Sequence, residues 1–213
     1  FYTIMNNIAI TTIVSYFVFC LLFFIIKQLV IDKDTKYPND SWIKIFIIFS
    51  FFIYLIQNIY YSSINSSNNE KCVVSFSVVL LSTLVPLIVI LCPIVFLVHN
   101  LNWYKVFSNT IGLSVTQDVL EPNLNNDTRN KINNLIYQLD GLDDFEILND
   151  REQLQQHINK DVQYTLNENI HVKLISEFKK RINIGYFMWF MLTGIITSLA
   201  SANNILLQDC LIE

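Results

Sequence analysis

Charged residues are scarce in this chain. Lys, Arg, Asp and Glu make up 15% of its 213 residues, against about 25% in an average soluble domain. Hydrophobic residues make up 53%, and they are collected in long runs, which a bilayer requires and a water-soluble core does not. The formal net charge of −4 argues against a nucleic-acid partner, which would need a basic surface. The composition indicates an integral membrane protein.

Charges are also missing from the centres of the long apolar runs. One Asp or Lys at such a centre would cost roughly 2.5–3.5 kcal/mol on the insertion scale. The first run has nineteen uncharged residues, and a helix of that length covers about 30 Å of hydrocarbon. The runs are residues 8–26, 43–61, 72–98 and 184–207. We therefore predict an all-α membrane protein with four transmembrane helices.

The polar residues concentrate between the third and fourth runs. This predicts three regions: 1–98 with transmembrane helices one to three, 99–183 as a small polar helical domain, and 184–213 with the fourth helix and a short tail. Three helical patterns occur in the polar region, at about 127–139 with Asp127 as N-cap, at 143–166, and at 169–181, where the helix continues into the last run.

Proline and polar residues within the runs suggest how the helices pack. Pro86 and Pro93 each remove a helical hydrogen bond, so we expect a disturbance there, as a bent structural helix or as a hinge. Gln57 and Asn58 are expected to make hydrogen bonds between helices. Small residues between 193 and 202 let helices approach closely in lipid, which favours the last run as the packing centre.

The cationic side chains are unevenly distributed. With four spans, thirteen of the fourteen Lys and Arg residues lie on the side of the polar domain, and only Lys71 lies opposite. The positive-inside rule then predicts that the domain faces the cytosol or its equivalent. Residues 118–152 carry nine acids and three bases. They could meet a basic partner or simply form a solvated face. The basic stretch 171–183 suits anionic headgroups.

The cysteines separate by depth. Cys20 and Cys92 lie within runs, whereas Cys72 and Cys210 lie at the opposite membrane surface from the domain. That side is topologically lumenal, where disulfides persist. A Cys72–Cys210 disulfide would contribute roughly 2–4 kcal/mol. The alternative is two free thiols.

Residues that carry chemistry are also lacking. The three histidines have no metal-ligand spacing, and there is no glycine-rich phosphate loop and no HExxH. Transporters usually need ionisable groups at depth, whereas the one charged residue within the runs, Lys44, lies at the edge of the second run. We therefore expect no enzyme, no cofactor or metal, and no small-molecule substrate.

Two stretches carry a family resemblance. Residues 103–112 read WYKVFSNTIG, which resembles a W-K-x-P-F-S-N-T-F-G motif in membrane proteins of large nucleocytoplasmic DNA viruses. Val106 stands in place of the motif's proline, and Ile111 in place of its second aromatic residue. Residues 187–194, with further polar residues up to Cys210, resemble the final helix of the same family. The motif-like residues are Trp103, Phe107, Ser108, Asn109, Thr110 and Gly112.

The resemblance implies a structural protein of the virion inner membrane. Members of that family include minor capsid proteins, so the chain would anchor the capsid shell to the internal bilayer. Its partners would be lipid and capsid or other virion proteins, with residues 99–183 facing the capsid. The alternative is an accessory subunit of an energy-transducing complex encoded by an AT-rich organelle.

Local expectations follow for residues 103–112. Trp103, Tyr104 and Phe107 are expected to act as interfacial anchors. Asn109 or Thr110 could cap a turn, and Gly112 could supply a positive φ.

Overall fold

A computed structural model describes residues 2–31, 41–68, 74–112, 125, 127, 129–130, 147, 149–159, 165 and 167–206. No strand occurs among these residues. The α-helices are α1 Tyr2–Ile26, α2 Ser41–Asn68, α3 Phe76–Pro86, α4 Cys92–Asn100, α5 Lys105–Phe107, α6 Arg151–Asn159 and α7 Glu168–Leu206. π-helical turns at Lys27–Ile31, Leu87–Leu91 and Ser108–Gly112 follow α1, α3 and α5.

The predicted membrane helices are confirmed by length and composition. Candidate spans lie at Asn7–Leu29, Ser41–Ile64 and Phe76–Asn100, and a fourth lies within Glu168–Leu206. The chain is therefore an all-α membrane protein with four helices able to cross a bilayer. The unbroken α7 also confirms that the helical pattern at 169–181 continues into the last apolar run.

The chain divides into two compact units. The first consists of Phe1–Lys27, Asp40–Leu101 and Phe187–Glu213, and the second of Gln28–Asn39 and Asn102–Tyr186. All four candidate spans contribute to the first unit, which is a helix bundle.

Contacts in the bundle give its helix directions. At one end Phe24 of α1 contacts Phe46 of α2 and Phe190 of α7. At the other end Ile8 of α1 belongs to a cluster with residues 61 and 205 of the same two helices. As the α1 numbers fall, the α2 and α7 numbers rise, so α1 is antiparallel to both. Val79 joins the second cluster, and α3 runs antiparallel to α2. The bundle is therefore up-down-up-down.

Aromatic rings fill the first end of the bundle. Phe46 and Phe190 lie 4.8 Å apart between ring centroids, and Trp42 contacts Phe24 and Phe190. The Lys27 side chain is fully buried, and its ammonium lies 4.7 Å from the centroid of the Trp42 ring. A cation over an indole face is attracted by the ring quadrupole. This contact makes a lysine tolerable at the end of the first span.

The third span is not a uniform α-helix. α3 ends at Pro86, the π-helical turn Leu87–Leu91 follows, and α4 begins at Cys92 with Pro93 in its first turn. Because Leu91 is itself in the αR conformation and the Cys92 N–H donates to the Leu87 carbonyl, the helix continues without a break into α4, and Pro93 removes a donor there as Pro86 does. The disturbance predicted from the two prolines thus takes the form of a π-helical turn.

Helix caps in the second unit are made by Asn and Asp side chains. Asp150 accepts hydrogen bonds from the backbone N–H groups of Glu152 and Gln153, at 2.9 and 3.3 Å, at the start of α6. Asp127 was expected as a cap, but it is helical, and its backbone N–H donates to the Asn125 side chain at 3.3 Å. The cap expectation was therefore wrong by two residues. Most of the 127–139 pattern lies outside the described residues.

Candidate functional site

Buried amide and hydroxyl side chains connect the spans. Gln57 of α2 donates from Nε2 to the Ser15 hydroxyl of α1 at 2.6 Å, and its Oε1 accepts from the Ser198 hydroxyl of α7 at 2.5 Å. One glutamine thus bridges three helices. Because lipid offers no competing partner, such bonds fix which helix faces meet. This confirms the helix–helix role expected for Gln57.

The next residue of α2, Asn58, forms hydrogen bonds with the third span, which contains the prolines. Asn58 donates to the Thr83 hydroxyl at 2.8 Å and to the Ser201 hydroxyl at 2.6 Å. Ser201 in turn donates to the backbone carbonyl of Ser82 at 2.8 Å. In an α-helix that carbonyl would accept from the N–H of residue 86, and Pro86 has none. The Ser201 hydroxyl supplies the donor that the proline removed.

A pair of tyrosines occupies the middle of the bundle. The Tyr16 and Tyr54 rings are stacked with centroids 5.2 Å apart. The Tyr16 hydroxyl lies 3.1 Å from the Ser50 hydroxyl, and Tyr54 donates to the Gly194 carbonyl at 3.1 Å. A Cβ at Gly194 would overlap the Tyr16 ring. The small residues of the last span therefore do form a packing centre, as their composition predicted.

The motif-like stretch, here called the 103–112 segment, folds as a short helical unit. The chain turns at Asn102, whose φ is 56°. α5 and the π-helical turn Ser108–Gly112 follow. The Tyr104 ring is fully buried and stacks on Tyr186 of α7, with 4.8 Å between centroids. A Cβ at Gly185 would overlap the Tyr104 carbonyl and lie 3.1 Å from the Ser108 Cβ. Glycine is needed there for the segment to approach α7.

A side-chain hydrogen bond secures the end of the segment. The Arg181 Nη2 donates to the Asn109 Oδ1 at 2.8 Å, and the Arg181 guanidinium lies 5.6 Å from the centroid of the Phe178 ring. The Thr110 hydroxyl donates to the Val106 carbonyl. Asn109 and Thr110 thus act through these contacts and not as the expected caps.

Gly112 has a different role from the one expected. No glycine among the described residues has a positive φ, so the expectation that Gly112 supplies one was wrong. A Cβ at this position would lie 2.9 Å from the Arg181 carbonyl oxygen. The close approach to α7 selects glycine here.

Three apolar side chains lie on the outer face of the segment. Trp103, Val106 and Ile111 are 39%, 56% and 38% exposed. The interfacial expectation is therefore wrong for Tyr104, which packs within the protein. Phe107 is half-buried.

No family model, curated protein or solved structure matches this chain. The likeness to the viral family therefore depends on the residues quoted for it. Among those residues, Ser108, Asn109 and Gly112 belong to the contact with α7, whereas Trp103 and Thr110 are exposed.

The structure describes the cysteines and the candidate metal ligands only in part. Cys72 and Cys210 lie outside the described residues, and Cys20 and Cys92 are free thiols. Within the described parts of the chain, no three His, Cys, Asp or Glu side chains are grouped so that they could hold a metal ion.

Sequence reasoning missed the α7 side of the contact. The sequence places Arg181 in a basic stretch suited to headgroups, whereas in the structure its side chain is 4% exposed. Tyr186 gave no signal at all. Gly185 is the one available clue, because a glycine in the interior of a helix lowers its stability and is favoured where another part of the chain approaches closely.

Proposed function

We propose that this chain is a structural membrane protein of a virion. Its four spans anchor the polar helical domain, residues 99–183, at the internal bilayer. That domain contacts capsid or other virion proteins, and the chain is a minor capsid component. In this proposal the polar helical domain is on the cytosol-equivalent, capsid-facing side. The chain performs no catalysis and moves no solute.

The observation that carries the proposal is the pairing of the bundle's buried polar groups with each other. Gln57, Asn58 and two serines of α7, Ser198 and Ser201, are occupied in hydrogen bonds between helices. A transport pathway needs polar groups that exchange partners with a solute, whereas these groups are arranged to fix the helices. This supports an anchor.

The virion assignment is supported by the 103–112 segment. Its likeness to the viral motif includes Ser108, Asn109 and Gly112, which contact α7 together with Tyr104, a residue outside the motif. Motif residues that form packing contacts, and not a catalytic or binding site, are what a structural protein is expected to have. The basic side chains around that segment suit a cytosol-equivalent position.

Cross-linking within purified virions tests the proposal. We expect that the protein is still detected in virions after their outermost layers have been removed. Cross-links should join residues 149–159 to proteins of the capsid shell. Its presence only in respiratory complexes of mitochondrial membranes would contradict the virion assignment.

A second experiment tests the orientation alone. In sealed vesicles with the cytosol-equivalent face outward, added protease should cut within 117–170 and spare 62–71. The reverse pattern would place the polar helical domain on the wrong side for a capsid contact.

A further inference from the structure

The 103–112 segment has an inverted distribution of polarity. Tyr104, Ser108 and Gly112 are buried at four-residue spacing and form its inner face. Trp103, Val106 and Ile111 form its outer face and are substantially exposed. In water a helical segment normally covers its apolar residues and exposes its polar ones. Here the covered face includes a hydroxyl and a glycine. The exposed side chains are three apolar ones and Thr110, whose hydroxyl is bonded to the Val106 carbonyl.

Chain connectivity restricts where the outer face can be. Only Leu101 and Asn102 separate Trp103 from Asn100, the last residue of the third candidate span. Three residue steps reach at most about 11 Å even when fully extended. Asn102 has a positive φ, so the helix of the third span does not continue unbroken into the segment. The headgroup layer on each side of the hydrocarbon is about 5–8 Å thick. The segment thus begins within or beside that layer.

We propose that the 103–112 segment is an interfacial element whose outer face inserts into the boundary between headgroups and acyl chains. Trp103, Val106 and Ile111 enter the lipid of the same bilayer that the four helices cross. Amphipathic helices with this kind of face bury it about 5–10 Å into the boundary. Tryptophan is also enriched at this depth, because its ring is apolar and its N–H can remain hydrated.

The inner face explains what the insertion achieves. The Tyr104–Tyr186 stack, the approach to Gly185 and the Arg181–Asn109 bond join the segment to α7. A segment that is seated in lipid and fixed to α7 gives the second unit a membrane contact besides the helix itself. This inference requires a membrane protein but does not depend on the virion assignment.

Nitroxide accessibility measurements test the proposal in liposomes. The four native cysteines are replaced by alanine, and single labels are attached at Val106→Cys or Ile111→Cys. Ile88→Cys, which is 58% exposed in the third candidate span, is the lipid control. Gln153→Cys, exposed on α6, is the aqueous control. Collision rates with oxygen, which partitions into lipid, are compared with those of a water-soluble nickel chelate.

We expect oxygen-to-nickel ratios at 106 and 111 that lie between the two controls and well above that at Gln153. Ratios equal to the Gln153 value would show a water-exposed face and overturn the proposal. Low accessibility to both reagents would show that protein covers the face, which also overturns it.

Quenching by brominated lipids provides a check that needs no cysteine replacement. Shallow bromines should quench the wild-type protein more than the Trp103→Phe variant, in which the shallow-quenched fraction should fall. An unchanged fraction in that variant would place the Trp103 indole away from lipid and contradict the proposal.

Discussion

The contact between Ser201 and the proline-broken third span gives a sharp energetic prediction. Ser201→Ala removes the donor to the Ser82 carbonyl and an acceptor for Asn58. An unsatisfied buried carbonyl costs roughly 1–3 kcal/mol. Hydrogen bonds between membrane helices average about 0.6 kcal/mol and reach about 1.7. Because two bonds are lost, we expect the free energy of unfolding to fall by about 1–2 kcal/mol.

Pro86→Ala should reduce that loss. The new backbone N–H at position 86 can donate to the Ser82 carbonyl, so that carbonyl has a donor even when the Ser201 hydroxyl is removed. In the Pro86→Ala background, Ser201→Ala should cost less than it does alone, and the coupling energy should be about 1 kcal/mol. The measurement is a double-mutant cycle from reversible unfolding in mixed micelles, followed by far-ultraviolet circular dichroism.

Ser198→Ala is the matched control. Ser198 precedes Ser201 by less than one turn of α7 and donates to Gln57 instead. Its cost should be the same with and without Pro86→Ala, within the 0.3–0.5 kcal/mol typical of additive sites. If Ser201→Ala were equally additive with Pro86→Ala, the hydroxyl would not replace the missing N–H, and the reasoning would be refuted.

Three further substitutions or modifications test the packing. Gly194→Ala should lower the unfolding free energy by roughly 1–3 kcal/mol, because its methyl overlaps the Tyr16 ring; in a Tyr16→Ala background the unfolding titration should show a smaller cost. Gly185→Ala should speed amide hydrogen exchange in the 103–112 segment, and unchanged exchange would contradict the close approach. A Cys72–Cys210 disulfide predicts that a bulky maleimide labels both residues only after reduction, whereas complete labelling without reductant would show free thiols.

The spans were predictable because a helix that crosses lipid must consist almost entirely of uncharged, mostly apolar residues. An uncharged run of sufficient length has few other structures available, so the four candidate spans and the all-α class followed from the apolar runs. The bonds of Gln57 and Asn58 between helices were predictable for the same reason. Their partners were not, because the pairing depends on helix rotation, which a run of apolar residues leaves open.

The 103–112 segment shows where such reasoning fails. An aromatic residue beside a span suits lipid and suits another ring equally well, and sequence could not tell that Tyr104 meets Tyr186. Val106 and Ile111 gave no interfacial signal, because a short run of mixed residues has no clear period. The sequence predicts a positive φ at Gly112, whereas in the structure glycine is needed there because a Cβ would crowd the Arg181 carbonyl oxygen.

The two glycines of α7 explain why one helix contributes to both compact units. Apolar side chains gain little by leaving lipid for each other, so association in a bilayer depends on close packing and hydrogen bonds. Close packing needs positions without a Cβ, and this chain has only four glycines. α7 has two of them, Gly185 against the 103–112 segment and Gly194 against Tyr16. In each place a hydrogen bond accompanies the close approach, from Arg181 in the second unit and from Tyr54 in the first. Within each unit, a glycine of α7 lets one neighbour approach more closely than a larger residue would allow. The accompanying hydrogen bond then fixes that contact.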